Sequence, residues 1–181
     1  APEYLEILVE PLNSNEVDAV FGSRMLTKGT ALKGGMPLYK FIGNKILTNF
    51  QNFLLSSKLS EFHSGYRIYK VSALKKIPFE LNANDYSFDS EIIIQLIISK
   101  LKIKELPIPT YYGDEISYVN GFKYAYQICI ATLKSQLQKK GLFYDRKFDT
   151  KNKSENLYVN KENFYSTHSE MLKNLVKNSK I

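Results

Sequence analysis

The chain has 181 residues, 44% of them hydrophobic and 13% aromatic, which suffices for one domain with a real core and excludes a wholly disordered chain. Its 25 Lys and Arg against 18 Asp and Glu leave a net charge of +7 that calls for an anionic partner or surface, but the lysines are scattered and thicken in the C-terminal tail without a nucleic-acid motif, so nucleic acid is not expected. The lone Cys129 excludes an internal disulfide and no apolar run approaches the ~20 residues that cross a bilayer, so the composition reads as a cytoplasmic, mixed α/β chain.

In chain order, residues 2–12 predict a helix, with Pro2 tolerated in its first turn, and residues 19–22 a short buried strand ending in the turn Gly22-Ser23-Arg24. A loop at Gly34-Gly35-Met36-Pro37 lies between Lys33 and Lys40. Residues 39–55 then carry Phe41, Ile42, Ile46, Leu47, Phe50, Phe53 and Leu54 at spacings of three and four. That spacing predicts an amphipathic helix with this row buried and Asn44, Thr48 and Gln51 on other faces. Residues 66–69 form a strand and residues 71–76 a short helix stopped by Pro78. A helix over 89–100 follows, with Ser87 or Asp89 as cap and Ile92, Ile93, Leu96 and Ile97 as its buried face. Residues 103–108 make a strand whose prolines, Pro107 and Pro109, place it at an edge or an end.

The helix predicted over 120–140 bears a stripe of Phe122, Tyr126, Ile130, Leu133 and Leu137, flanked by Lys123, Lys134, Lys139 and Lys140. Such a stripe packs either on the domain or a partner segment, or on a membrane surface with lysines among the headgroups. Cys129 falls in this helix and reads as a buried packing residue. Beyond Gly141 come an aromatic stretch over 142–149, a polar, loose segment over 150–155 and one more helix over about 161–177.

Chemistry-bearing residues concentrate in residues 61–69, Glu-Phe-His-Ser-Gly-Tyr-Arg-Ile-Tyr. Arginine offers a planar fork of donors for phosphate oxygens, Gly65 lets backbone approach a ligand, and Glu61 or His63 can move a proton. A Ser-Gly turn entering a strand would use the same letters, and both readings stand on these nine residues alone.

Five stretches in order carry a resemblance: Gly22-Ser23-Arg24; Gly43-Asn44 in a helix with Thr48 and Asn52; Ser64-Gly65-Tyr66-Arg67; Phe88-Asp89-Ser90-Glu91; and Pro107-Ile108-Pro109 with Tyr112-Gly113. Over roughly residues 1–125 the chain resembles the second half of a family 2 glycosyltransferase, nearest the dolichyl- or polyprenyl-phosphate sugar transferases. The resemblance implies a partial GT-A, Rossmann-like fold over 1–140 whose nucleotide-binding front half, with its metal-holding Asp-x-Asp pair, lies outside the chain. It also implies a linker and helix over 141–181 that lead, as in some relatives, to a methyltransferase domain.

The resemblance further implies roles. Arg24 and Arg67 bind phosphate, with Ser64, His63 and Tyr112 as further substrate contacts, and Glu61, where relatives usually have Asp, serves as general base or as a partner that holds a group bound to the metal. His63 is a candidate metal ligand, though a lone histidine is as readily a satisfied polar residue. Asp89 and Glu91 are acids near the start of the late helix, where they also complement its dipole, and Asp114 and Glu115 belong to an acceptor-side loop hinged at Gly113. The implied reaction is inverting transfer from a nucleotide sugar to a polyprenyl phosphate or a surface-glycan hydroxyl, with Mg²⁺ or Mn²⁺ in the full-length protein and a cytoplasmic place, peripheral at the inner membrane face. The contrasting expectation is a non-catalytic, transferase-like module that docks a partner enzyme. Unpaired sheet edges and exposed helix faces would make the isolated piece self-associate.

Overall fold

Ala19, Val20 and Phe21 are buried on both faces of strand β1 (Ala19–Ser23), as expected for the centre of a sheet. A computed structural model describes residues 2–14, 16–112 and 120–150. Among these residues β1 is flanked by β2 (Arg67–Tyr69), antiparallel with Ala19 opposite Tyr69 and Phe21 opposite Arg67, and by β3 (Ile103–Pro107), parallel with Ala19 opposite Ile103 and Ser23 opposite Pro107. The order β2-β1-β3 brings the ends of three sequence-distant segments together at Ser23-Arg24, Tyr66 and Ile108. Gly22 donates to the Tyr66 carbonyl (2.8 Å) and Ile108 to the Ser23 carbonyl (3.0 Å) just past the ladders.

Helices surround this sheet: α1 (Leu5–Asn13) after a 3₁₀ turn at Pro2–Tyr4, α2 (Thr30–Lys33), α3 (Leu38–Leu55), α4 (Val71–Leu74), α5 (Phe88–Ile98) and α6 (Gly121–Lys139), with further 3₁₀ turns at Phe79–Leu81 and Arg146–Phe148. The architecture is thus mixed α/β, as composition and periodicity predict. The core centres on α5, whose residues 90–96 are all buried, so that Ile94 and Gln95 join the expected face of Ile92, Ile93 and Leu96 inside. Ser87 precedes α5 without a side-chain cap. Its hydroxyl is drawn back to Asp85 Oδ1 (2.6 Å), which also takes the Ser87 N–H and is held below the usual carboxylate range by these Ser87 bonds. At the next helix Asn120 does cap, accepting from the Lys123 N–H at 3.1 Å.

One helix, α3, is turned opposite to expectation, and in α6 the structure decides between the two orientations that the stripe left open. In α3 the buried residues are Asn44, Thr48, Gln51 and Leu55, while Ile42, Ile46 and Phe53 of the predicted core row are exposed. In α6 the buried residues are Ile128, Ala131, Thr132 and Ser135, and Phe122, Tyr126, Leu133 and Leu137 face outward, so the stripe does not pack on the domain. Small and polar side chains let α3, α5 and α6 approach closely, and Asn44 has a buried charge to satisfy. Cys129 is half-buried rather than buried.

Residues 141–150, expected as the start of a linker, belong to the same unit as the helices before them. Phe148 joins the core, Lys147 reaches Glu91 (2.8 Å), and Gln95 donates to the Lys147 carbonyl (2.8 Å). The helix expected over 161–177 lies outside the described residues.

Candidate active site

Arg24 leaves the end of β1 and meets Glu61, which is 2% exposed and sits in the loop between α3 and β2. The Arg24 backbone N–H donates to Glu61 Oε2 (2.8 Å) and its Nε to Oε1 (3.0 Å); Nη2 bonds Oε1 and the His63 carbonyl (3.0 Å), and Nη1 bonds the Tyr112 hydroxyl (3.1 Å). Burial opposes the guanidinium charge, but Glu61 and Tyr112 outweigh it and raise the Arg24 pKa further. Asn44 Nδ2 adds a bond to Glu61 Oε1 (2.7 Å), and Thr48 orients that amide through Asn44 Oδ1 (3.1 Å). Both Glu61 oxygens are therefore engaged, which makes the carboxylate the fixed counter-charge of Arg24 in this arrangement.

The loop carrying Glu61 is itself held. Asn52 accepts from the Leu59 N–H (3.0 Å) and donates to the Leu59 carbonyl (2.7 Å) where α3 ends. Glu105 of β3 accepts from the Ser60 N–H (2.8 Å), the Ser60 hydroxyl (2.7 Å) and the Glu61 N–H (3.2 Å), and Ser23 meets the Ser60 hydroxyl at 2.7 Å. The sequence readings passed over Glu105 and set Asn44 away from the row expected to be buried. The signal for Glu105 was an acid inside an otherwise buried-type strand; for Asn44 it was a polar row at helical spacing.

His63 is half-buried, with Nδ1 3.0 Å from the Tyr124 hydroxyl of α6, and its buried Nε2 has no partner among the described residues. Burial, then the Arg67 and Arg24 charges, push its pKa down to about 3, so the imidazole is neutral at pH 7. Those two positive charges also oppose a cation beside it. Among the described residues no group of His, Cys, Asp and Glu is placed to hold a metal ion, so the residues present do not fit one.

Arg67 starts β2 with its side chain 4% exposed, spending its donors on the Phe62 carbonyl (2.7 Å), the Asp89 carbonyl (3.3 Å) and Asp89 Oδ1 (3.1 Å). Ser64 is buried and its hydroxyl accepts from the Tyr66 N–H (3.4 Å). Asp89 is half-exposed at the start of α5, whereas Glu91 is buried and taken up by the Ala83 N–H (2.8 Å) and Lys147. Tyr112 is seated on the glycine loop through its N–H to the Gly34 carbonyl (3.0 Å), with the Lys40 ammonium 5.2 Å from its ring centre. Asp114, Glu115 and Gly113 lie outside the described residues. The structure thus gathers Arg24, Glu61, His63 and Tyr112 into one constellation and sets Arg67 with Asp89 in a neighbouring pair. Of the two arginines Arg24 keeps more surface, 21% of its side chain.

The chain is similar to three curated proteins. An uncharacterised protein of Methanocaldococcus jannaschii is 35% identical over 133 residues, 70% of this chain and 54% of that protein. The low-salt glycan biosynthesis hexosyltransferase Agl6 of Haloferax volcanii is 34% identical over 114 residues, 62% of this chain and 26% of its own length. The UDP-N-acetylglucosamine–dolichyl-phosphate N-acetylglucosaminyltransferase of Methanococcus voltae is 33% identical over 134 residues, 71% and 52% respectively. The chain thus spans about half, or less, of the length of these relatives. No family model and no solved structure matches it. The two named relatives support a glycosyltransferase family and sugar transfer in general.

Proposed function

From that likeness to named glycosyltransferases, we propose that the chain supplies the acceptor side of a family 2, inverting, GT-A transferase site that takes a nucleotide sugar as donor. The acceptor is a polyprenyl phosphate, or else a surface-glycan hydroxyl. The observation that carries this reading is the Glu61-clamped Arg24: a guanidinium fixed in place by its own neighbours and still partly open to a ligand. A preorganised positive charge stabilises a phosphate, or charge developing on a leaving diphosphate, without reorganising during reaction. An acceptor phosphate is already ionised and needs no base, which agrees with a Glu61 whose oxygens are both occupied; a hydroxyl acceptor would need that clamp to open. Tyr112 orients Arg24, and neutral His63 adds no charge. The divalent cation that binds the donor diphosphate, Mg²⁺ or Mn²⁺, would be held by carboxylates outside the described residues. A peripheral place at the inner membrane face and a methyltransferase domain beyond the C-terminal segment belong to the same proposal, with the transferase part extended from residue 140 to the end of its compact unit at residue 150.

A second reading, a module that docks a partner enzyme, draws on Arg67, whose donors are taken up within the protein. Titration of nucleotide sugars with Mn²⁺ into the full-length protein separates the two. Metal-dependent binding and transfer are expected. Tyr112→Phe, which removes only a hydroxyl, should weaken transfer by about tenfold at unchanged melting temperature, the effect of one charge-assisted hydrogen bond of ~1.4 kcal/mol. Arg24→Lys should lose transfer further, because an ammonium cannot keep the fork. Absence of nucleotide-sugar binding by the wild-type protein would leave the docking module.

A further inference from the structure

We propose that the outward faces of α3 and α6 form a docking surface for an anionic lipid bilayer. On α3, Leu38, Ile42, Ile46 and Phe53 recur along one side, with Ile46 62% and Phe53 83% exposed; on α6, Phe122 is 93% and Tyr126 68% exposed, and Leu133 and Leu137 continue the row. The two helices pack against each other, so the rows lie on neighbouring helices. Singly exposed apolar residues are ordinary, but two long rows on adjacent helices mark an interaction surface.

The charges around them identify the occupant. Neither α3 nor α6 contains an aspartate or glutamate, and at helical spacing Lys45 on α3 and Lys123 and Lys134 on α6 lie next to the apolar rows, whereas Lys40 is turned to the Tyr112 ring. Helices with large apolar residues on one side, lysines beside them and no acids are complementary to a surface that is apolar inside and negative outside. Lysine stems lie along apolar surface while their ammonium groups reach phosphates. No helix among the described residues is long and apolar enough to cross a membrane, so the contact is a lateral one.

The inner row of α3 gives this surface a functional sense, which rests on the lipid-phosphate form of the proposed function. Asn44 and Thr48 face Glu61 and Arg24, so one helix has lipid on one side and the anion-binding arginine's clamp on the other. The site then lies about one helix diameter, ~10 Å, from the docking plane, near the depth of a lipid headgroup.

Co-sedimentation of the full chain with vesicles tests the surface without any sugar or metal. Phosphatidylcholine vesicles containing roughly 30% phosphatidylglycerol should bind it and pure phosphatidylcholine vesicles much less, with binding weakened by added salt. Ile46→Ser combined with Phe53→Ser should reduce binding about tenfold or more at an unchanged or higher melting temperature, since both side chains are exposed. Lys45→Glu should weaken binding to the anionic vesicles alone. Equal binding by the double variant, or no binding to either vesicle, would overturn the proposal. So would a dimer in sedimentation equilibrium that the double variant abolishes while vesicles do not bind, which would make the occupant a second copy. Loss of vesicle binding with nucleotide-sugar binding intact would remove the docking surface and leave the transfer site standing.

Discussion

Arg24 and Arg67 are one residue type in two situations. Arg67 is a bolt between β2 and the start of α5, satisfied by Phe62 and Asp89 and nearly inaccessible, whereas Arg24 is clamped by Glu61 and keeps an open edge. Sequence could single out both, because each sits at an end of a short strand, Arg24 just past β1 and Arg67 at the start of β2, beside glycine and serine, but it could not divide the roles: that depends on carbonyls and carboxylates brought in from elsewhere in the chain. His63 shows the same limit, since its neutrality follows from burial and from arginines 39 and 4 positions away, and only the fold makes them neighbours. Its shift has a consequence for stability. The folded pKa, about 3, lies below the ordinary 6.5, so between these values the unfolded chain binds a proton that the folded chain refuses. Stability is therefore lost as pH falls from 6.5 towards about 3, with a contribution approaching ~1.4 kcal/mol per pH unit in that window, and is unaffected above it. Carboxylates add their own slope, so the difference between wild type and His63→Asn, in which Asn keeps a polar atom for Tyr124, isolates the histidine. Urea midpoints across this window should fall less steeply for the variant; parallel curves would mean that His63 is protonated in the fold as readily as out of it.

At the scale of elements, the periodicities located α3, α5, β3 and α6 to within two residues at either end, because amphipathic spacing and punctuation by Pro, Gly and Asn are local signals. The inward direction of α3 and α6 was not a local signal. A helix with an apolar row and a polar row normally buries the first; here a buried Glu61 needs the Asn44 amide, and the polar row wins the inside. The loop at Gly34-Gly35 is a similar case. It was recognised as a loop between lysines, but its reason is a clasp: a Cβ at Gly34 would lie 2.1 Å from the Thr110 carbonyl oxygen, and Gly35 has a φ of +85°. Gly34→Ala forces the 110–112 backbone away, and Tyr112 with it. We expect a loss of about 1–3 kcal/mol, the scale of overpacking against backbone. Gly43→Ala in the middle of α3 is the matched control: nothing lies within 4 Å of its Cβ, and alanine should stabilise by about 0.5–1 kcal/mol. Thermal melts of the two variants should move in opposite directions. A Gly34→Ala protein as stable as wild type would show that residues 110–112 do not depend on the clasp.

For the molecule as a whole, the question is where the folded unit ends. Composition changes after Gly141, where glycine follows a lysine-rich helix end and polar residues soon appear, and this reads as the start of a linker. Local composition does not register that α5 is buried all round and so needs cover on every side. Part of that cover comes from residues 145–149: Phe148 lies in the core with Ile92, Ile93 and Ile94, Lys147 neutralises buried Glu91, and Gln95 joins Asn82 to the Lys147 carbonyl. Two loops far apart in sequence are thereby tied to one helix through its polar residues, while its isoleucines fill the space between. If this segment were a linker, truncating Phe148 would change nothing. Because the ring is 4% exposed, Phe148→Ala should instead cost about 2–4 kcal/mol, less than a central Phe since a short 3₁₀ turn can partly collapse into the space. The loss should also be global: far- and near-ultraviolet dichroism should shift to lower urea together, because the ring packs on the element that α3, α6 and the 78–83 loop share. A shift in neither signal would return residues 141–150 to the linker; a shift in the near-ultraviolet signal alone would make them an appendage that docks after the rest has folded.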